Sequence, residues 1–181
     1  MFQDNKMSFD LLIFQVINGL SHKNSVLDRL AVFLANYFQY FLIALAVFLL
    51  FLKVKDKRRR IFVCLFFVLS AILSRGLITE IIRFFYSRPR PFAVFNLSPL
   101  INQNPTGSFP SGHMTFYFVL ALTVFLLNKK WAWFFTAAVT LMGLARIFVG
   151  VHWPSDILGG ILIAILGYFL VRKILLPKNP T

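Results

Sequence analysis

Acidic side chains and cysteine are scarce in this chain. Of 181 residues only six are Asp or Glu and one is Cys, against 19 Lys and Arg. A lone cysteine, Cys64, supports no disulfide framework within one chain, and its apolar neighbours make it a small core or lipid-facing residue. Scattered carboxylates without a Cys pair provide poorly for a metal, so neither metal nor cofactor is expected. Charge of either sign is sparse as well. Only 14% of residues are charged, where a soluble domain has about 25%. With 59% hydrophobic residues and a mean hydropathy of +0.76, this composition indicates an integral membrane protein. The net charge of +13 does not point to nucleic acid. The basic residues sit in short loops between apolar runs, as positive-inside topology places them.

The apolar runs predict an all-α, multi-pass membrane helix bundle forming a single domain over residues 1–181. Helices are expected at roughly 8–20, 26–53, 61–82, 112–127, 131–149 and 157–173. The first, about 20 Å long, is too short to cross a core of about 30 Å and reads as interfacial or half-inserted, with a degenerate first span as the competing reading. The other five read as full spans, six helices in total. Leu11 to Leu20 follows Asp4 and Asp10 and has no small-residue cleavage pattern, so no removable leader is expected there. Trp131 and Trp133 are interface anchors. Gly159, Gly160 and Gly167 permit close helix contact. Arg75, inside a span, either serves function or pairs with Glu80 or Asp28.

Lys53, Lys55, Lys57, Arg58, Arg59 and Arg60 give the strongest topological signal, as a cytoplasmic loop or an anionic-lipid patch. With that loop in the cytoplasm, alternation puts 128–130 and 172–178 there too. These three loops hold 11 of the 19 Lys and Arg residues. Residues 83–113 and 146–156 then share the extracytoplasmic face of the cell membrane.

That face receives Phe109-Pro110-Ser111-Gly112-His113, a run suited to starting a helix at an anion site. Pro blocks the preceding turn, Ser111 caps, and the first N–H groups remain free for an oxyanion. The same face receives Arg83, Arg88, Arg90, Arg146, His152 and Asp156, and a second helix start at Pro154-Ser155. Two positive helix ends and several guanidiniums suit a polyanion, and phosphate fits best. One His can attack phosphorus while the other protonates the leaving oxygen. Asp156, four residues after His152, can hold its ring in one tautomer. Singly, each residue has a plainer reading as an interfacial side chain, a snorkelling anchor or a helix-end charge. Their shared face is what carries the site.

These residues resemble the type-2 phosphatidic acid phosphatase superfamily, whose motifs are Lys-x6-Arg-Pro, Pro-Ser-Gly-His and Ser-Arg-x5-His-x3-Asp. Here they stand as Arg83-x6-Arg90-Pro91 (83–91), Pro110-Ser111-Gly112-His113 (110–113) and Ala145-Arg146-x5-His152-x3-Asp156 (145–156). Arg83 replaces the family Lys, and Ala145 replaces Ser. The resemblance implies that His152 is the nucleophile and forms a phosphohistidine, that Asp156 orients it, and that His113 protonates the leaving group. It implies that Arg83, Arg90, Ser111, Gly112 and Arg146 bind the phosphate. Arg88 matches no motif position.

Residues 18–28 and 146–154 look most like the bacitracin-resistance type of undecaprenyl-diphosphatase. The implied substrate is a polyprenyl diphosphate in the outer leaflet, hydrolysed to the monophosphate carrier of cell-wall synthesis. Phosphatidylglycerophosphate and phosphatidic acid are alternatives, as is a non-catalytic lipid-phosphate binder or transporter. The enzyme reading predicts a bell-shaped pH dependence, with neutral His152 and charged His113.

Overall fold

The computed structural model describes residues 9–175. Among them every long element is helical, as apolar chain in lipid requires, because a helix satisfies its own backbone polar groups. In chain order α1 is Phe9–Asn18, α2 Ser25–Lys53 and α3 Lys57–Phe85. They are followed by the short α4, Pro91–Val94, α5, Gly112–Val124, α6, Lys129–Phe148, and α7, Pro154–Leu175. The result is an all-α membrane bundle in which α2, α3, α6 and α7 are long and apolar enough to cross a bilayer and α1 and α5 are shorter. Residue 8 of the first expected helix and residues 176–178 of the last basic segment lie outside the described residues.

The full-length span expected at 112–127 is instead a helix of 13 residues, about 20 Å long. It ends where Phe125, Leu126 and Leu127 turn back onto Leu122, Thr123 and Val124 through tight backbone bonds. A helix this short fits because protein surrounds it. Met114, Val119, Ala121 and Val124 are buried and form one core with Phe135, Val139 and Met142 of α6 and Ile157 and Ala164 of α7. The aliphatic and aromatic residues left exposed, such as Phe48, Phe51, Leu65 and Leu162, lie on the outer helices.

Polar caps move several boundaries outward from the apolar runs. Asp56 accepts from the Arg59 amide at 2.7 Å, so α3 begins among the basic residues rather than after them. Asn24 and Asn128 cap α2 and α6 in the same way. Pro154 opens α7 three residues before the apolar run expected to carry it. The glycines of α7 do permit close approach. A Cβ on Gly160 would lie 2.7 Å from the Ser111 carbonyl oxygen and 2.8 Å from Met114 Cβ, and Gly167 meets Ser74 of α3.

The bundle has two unlike ends. At one, Leu126 and Leu127 pack with Leu50, Val54 and Val63, and Arg59 reaches the Leu126 carbonyl. Val171 and Leu175 approach the same end through Phe62 and Phe66. The described parts of the three basic segments therefore gather together. The motif residues lie at the other end, with α5 running between the two.

Two stretches widen into π-helix, Phe33–Tyr37 in α2 and Ile72–Ile78 in α3. Such widened turns are frequent at functional sites. Here they carry Ala35, which binds a motif arginine, and Arg75, which lines a cavity.

Candidate active site

The site is assembled on the turn between α6 and α7. Gly150, at φ +85°, supplies a left-handed residue there. The Phe92 amide donates to the Gly150 carbonyl and the Leu100 amide to the Val149 carbonyl, while the Trp153 indole N–H donates to the Pro89 carbonyl at 3.0 Å. The long polar segment between α3 and α5 is thereby fastened to the turn that carries His152. The Arg90 amide donates to the Pro105 carbonyl and ties the segment's two arms together. Inside it lies α4, a short helix opened by Pro91 that its hydropathy did not reveal.

His152 and Asp156 are almost completely buried. His152 Nδ1 lies 3.3 Å from Asp156 Oδ2, which also accepts from the Trp153 amide at 2.8 Å and from the Ser108 hydroxyl. An acceptor at Nδ1 places the proton on that nitrogen and the lone pair on Nε2. Nε2 faces Arg90 Nη1 at 3.2 Å, and that guanidinium also donates to the Val151 carbonyl at 2.8 Å. Arg83 donates to the Pro110 carbonyl at 2.9 Å, and Arg146, wholly buried, donates to the Ala35 carbonyl at 3.0 Å.

These side chains surround a cavity of about 320 Å3. Of the residues named from sequence, Arg83, Arg90, Gly112, His113, Arg146 and His152 form its walls, so the two imidazoles share one chamber. Asp156 stands behind His152. Ser111 departs from its expected role. It occupies the cap position of α5 but its side chain makes no capping bond, and its buried Oγ has no partner. The Nε atoms of Arg83, Arg90 and Arg146 are likewise buried and unpartnered. Unpaired buried donors are costly, and three guanidiniums in the walls of one chamber describe a site for a multiply charged oxyanion.

Burial and the neighbouring Arg146, Arg90 and Arg83 hold His152 well below the usual imidazole pKa. Both causes favour the neutral ring, whose Nε2 lone pair faces Arg90. Burial first, and then Arg83, lower Arg90 to about 10, which leaves it charged at neutral pH. Arg88 runs the other way: burial disfavours its charge, but the bond to Asp10 and the Asp156 carboxylate outweigh that and raise it. Among the described residues no group of three or more His, Cys, Asp or Glu side chains is arranged to hold a metal ion.

Asp10, Gln39 and Gln103 escaped the sequence reading, which placed Arg88 on the site face but gave it no role. Arg88, outside the motifs, donates to Asp156 Oδ1 at 2.8 Å, to Ser155 Oγ at 2.6 Å and to Asp10 Oδ2 at 2.6 Å. Its guanidinium also stacks 5.0 Å from the Trp153 ring centre. Asp10 of α1 accepts from the Ser155 amide at 2.8 Å, capping α7 across the bundle. The only available signal was an acid within an apolar helix of a chain so poor in acids. Gln39 and Gln103 line the cavity with no motif to announce them. Arg75 does pair with Glu80 and not with Asp28, which accepts from the His22 amide, yet Arg75 also lines the cavity.

A multi-pass membrane bundle with guanidiniums and two imidazoles around a buried anion chamber defines a membrane phosphatase. The model of the PAP2 superfamily matches residues 65–180, and the chain belongs to that superfamily. It is 34% identical over 160 residues to the undecaprenyl-diphosphatase BcrC of Bacillus subtilis (strain 168), covering 87% of this chain and 80% of that one. It is 34% identical over 170 residues to the bacitracin transport permease protein BcrC of Bacillus licheniformis, covering 91% and 81%. Among solved structures, LpxE of Aquifex aeolicus superposes with a TM-score of 0.72 at 27% identity, covering 90% of this chain and 94% of that one.

Proposed function

We propose that this PAP2 protein hydrolyses a polyprenyl diphosphate, undecaprenyl diphosphate in the first instance, to the monophosphate and inorganic phosphate. The observation that carries the reading is His152: its Nδ1 is engaged by Asp156 while its Nε2 faces the cavity-lining Arg90. The likeness to the B. subtilis undecaprenyl-diphosphatase supports the substrate.

In this mechanism the terminal phosphate enters the chamber and accepts from the guanidiniums of Arg83, Arg90 and Arg146 that wall it. Ser111 Oγ and the first amides of α5, at Gly112, complete its cradle. Nε2 of His152 attacks phosphorus as the bridging P–O bond breaks, and His113 gives its proton to the departing lipid monophosphate. Asp156 stabilises the positive ring that forms. Water, deprotonated by His113, then attacks the phosphohistidine and releases phosphate. Charge on the equatorial oxygens is neutralised by arginine alone, without a metal.

The basic end lies in the cytoplasm of this reading and the chamber opens at the outer face of the cell membrane. On that view α5 is a fifth crossing, completed by the polar segments at its ends, and α1 lies half inserted.

Phosphate release from undecaprenyl diphosphate, phosphatidylglycerophosphate and phosphatidate in one detergent, with excess chelator, tests this. The diphosphate is expected to be turned over fastest, and His152→Ala to abolish turnover in a protein that still elutes as folded. Turnover by that variant at the normal rate refutes the nucleophile. The permease named for the B. licheniformis relative motivates a second reading, a lipid-phosphate transporter. It predicts binding without phosphate release, and the paired imidazoles favour the enzyme.

A further inference from the structure

Arginine inside a membrane helix is costly and is kept for a purpose. The chamber holds one arginine more than the motifs supply. Arg75, in the π-helical stretch of α3, joins Arg83, Arg90 and Arg146 in its walls. It is tethered through Glu80, which also accepts from Arg83 at 3.4 Å.

The position of Arg75 separates it from the other three. Arg90 touches the His152 ring. Arg75 instead lies against Gly112, so closely that a Cβ there would be 2.5 Å from its Nε. Gly112 directly precedes His113. Of the four guanidiniums Arg75 is the least covered, ahead of Arg83 at 19% exposed and of buried Arg90 and Arg146, so it stands nearest the mouth of the chamber. Its side chain is about one-third exposed (35%), unlike buried Arg146, so a group extending out of the chamber can reach it.

We propose that Arg75 binds the second phosphate of a diphosphate substrate, the one that departs with the lipid, and thereby selects diphosphates over phosphomonoesters. This rests on the proposed function and names the head-group class for that same site. A lipid diphosphate brings an additional anionic phosphoryl group, and that group, joined to the lipid, extends from the transferred phosphate toward the mouth of the chamber where Arg75 stands. Glu80 holds Arg75 in place until the substrate arrives. The departing monophosphate gains charge as the bridging bond breaks, and Arg75 neutralises it beside the proton donor.

The test uses farnesyl diphosphate and farnesyl monophosphate, which share a tail and differ by one phosphate. Dissociation constants are measured in detergent with His152→Ala protein, which prevents turnover, with and without Arg75→Gln. The diphosphate is expected to bind about tenfold or more weakly without Arg75, as for a lost charge-assisted hydrogen bond, while the monophosphate changes by less than about threefold. Arg75→Lys should restore part of the difference. The double variant Arg75→Gln, Glu80→Gln removes the ion pair as a unit and should show the same selectivity if the single variant folds poorly. Equal loss for both ligands, or loss for neither, overturns the assignment. Equal affinity of both ligands for the protein that retains Arg75 overturns it as well. Phosphate release from undecaprenyl diphosphate by the unaltered protein is scored separately. Its absence refutes the diphosphatase reading even where the binding difference stands.

Discussion

Asp10→Asn tests whether the N-terminal helix helps to hold the catalytic geometry. Asp10 uses its two oxygens differently. Oδ1 accepts from the Ser155 amide, whereas Oδ2 accepts from Ser155 Oγ at 2.7 Å and from Arg88 Nη2 at 2.6 Å. Asparagine keeps a carbonyl oxygen to cap α7 and turns an amide N–H2 toward Arg88. The cap survives, the Ser155 hydroxyl turns to accept from the new amide, and the charge-assisted bond from Arg88 is lost, at a cost of about 1.5–3 kcal/mol. The two side chains are only about one-fifth exposed (20% and 18%), so water screens the pair incompletely. Arg88 is the group that holds Asp156 Oδ1, and Asp156 in turn holds His152. Loss passed to the transition state lowers kcat by roughly tenfold to a hundredfold. Neither Asp10 nor Arg88 is among the residues that wall the cavity, so KM for the lipid diphosphate should stay within about twofold, as for an interaction felt only in the transition state. The assay is steady-state phosphate release in detergent, with thermal unfolding measured in parallel. An unchanged kcat with a lowered Tm would show that α1 is a brace only. A raised KM at constant kcat would place Asp10 in substrate binding and refute the relay.

Other outcomes follow from the same geometry. His152 must be neutral to attack, and its pKa is held well below 6.5. The acid limb of kcat/KM for the free enzyme should therefore lie well under pH 6.5, and Arg90→Gln, which removes one of the charges depressing it, should move that limb upward. A limb that stays in place contradicts the Arg90–His152 coupling. The unfolded chain takes up the His152 proton more readily than the folded one, so substrate-free stability from this group is complete above about pH 6.5 and declines as pH falls below it. Thermal unfolding across that range measures the decline. Gly160→Ala drives a methyl into the Ser111 carbonyl and Met114, and should cost about 1–3 kcal/mol through overpacking. Denaturant unfolding without a change in midpoint would show that α5 and α7 separate freely.

The sequence by itself determined the class of fold, because apolar runs without charge permit only helices in lipid, and loops crowded with lysine and arginine mark one end of the bundle. Motif spacing also picked out Arg83, Arg90, His113, Arg146 and His152, which the fold brings to the walls of one cavity. Tertiary structure alone decided which parts were out of reach of local pattern. The 112–124 helix is short because neighbouring helices, rather than lipid, cover it. Ser111 Oγ is left without a partner instead of capping. Asp10 meets Ser155 across 145 positions of chain and Arg88 meets Asp156 across 68, separations over which no periodicity or propensity carries information. Arg75 joins the chamber because a widened turn of α3 packs against a glycine with no side chain. Each of these depends on which surfaces the folded helices bring into contact, and that is settled by packing between elements rather than by the residues within any one of them.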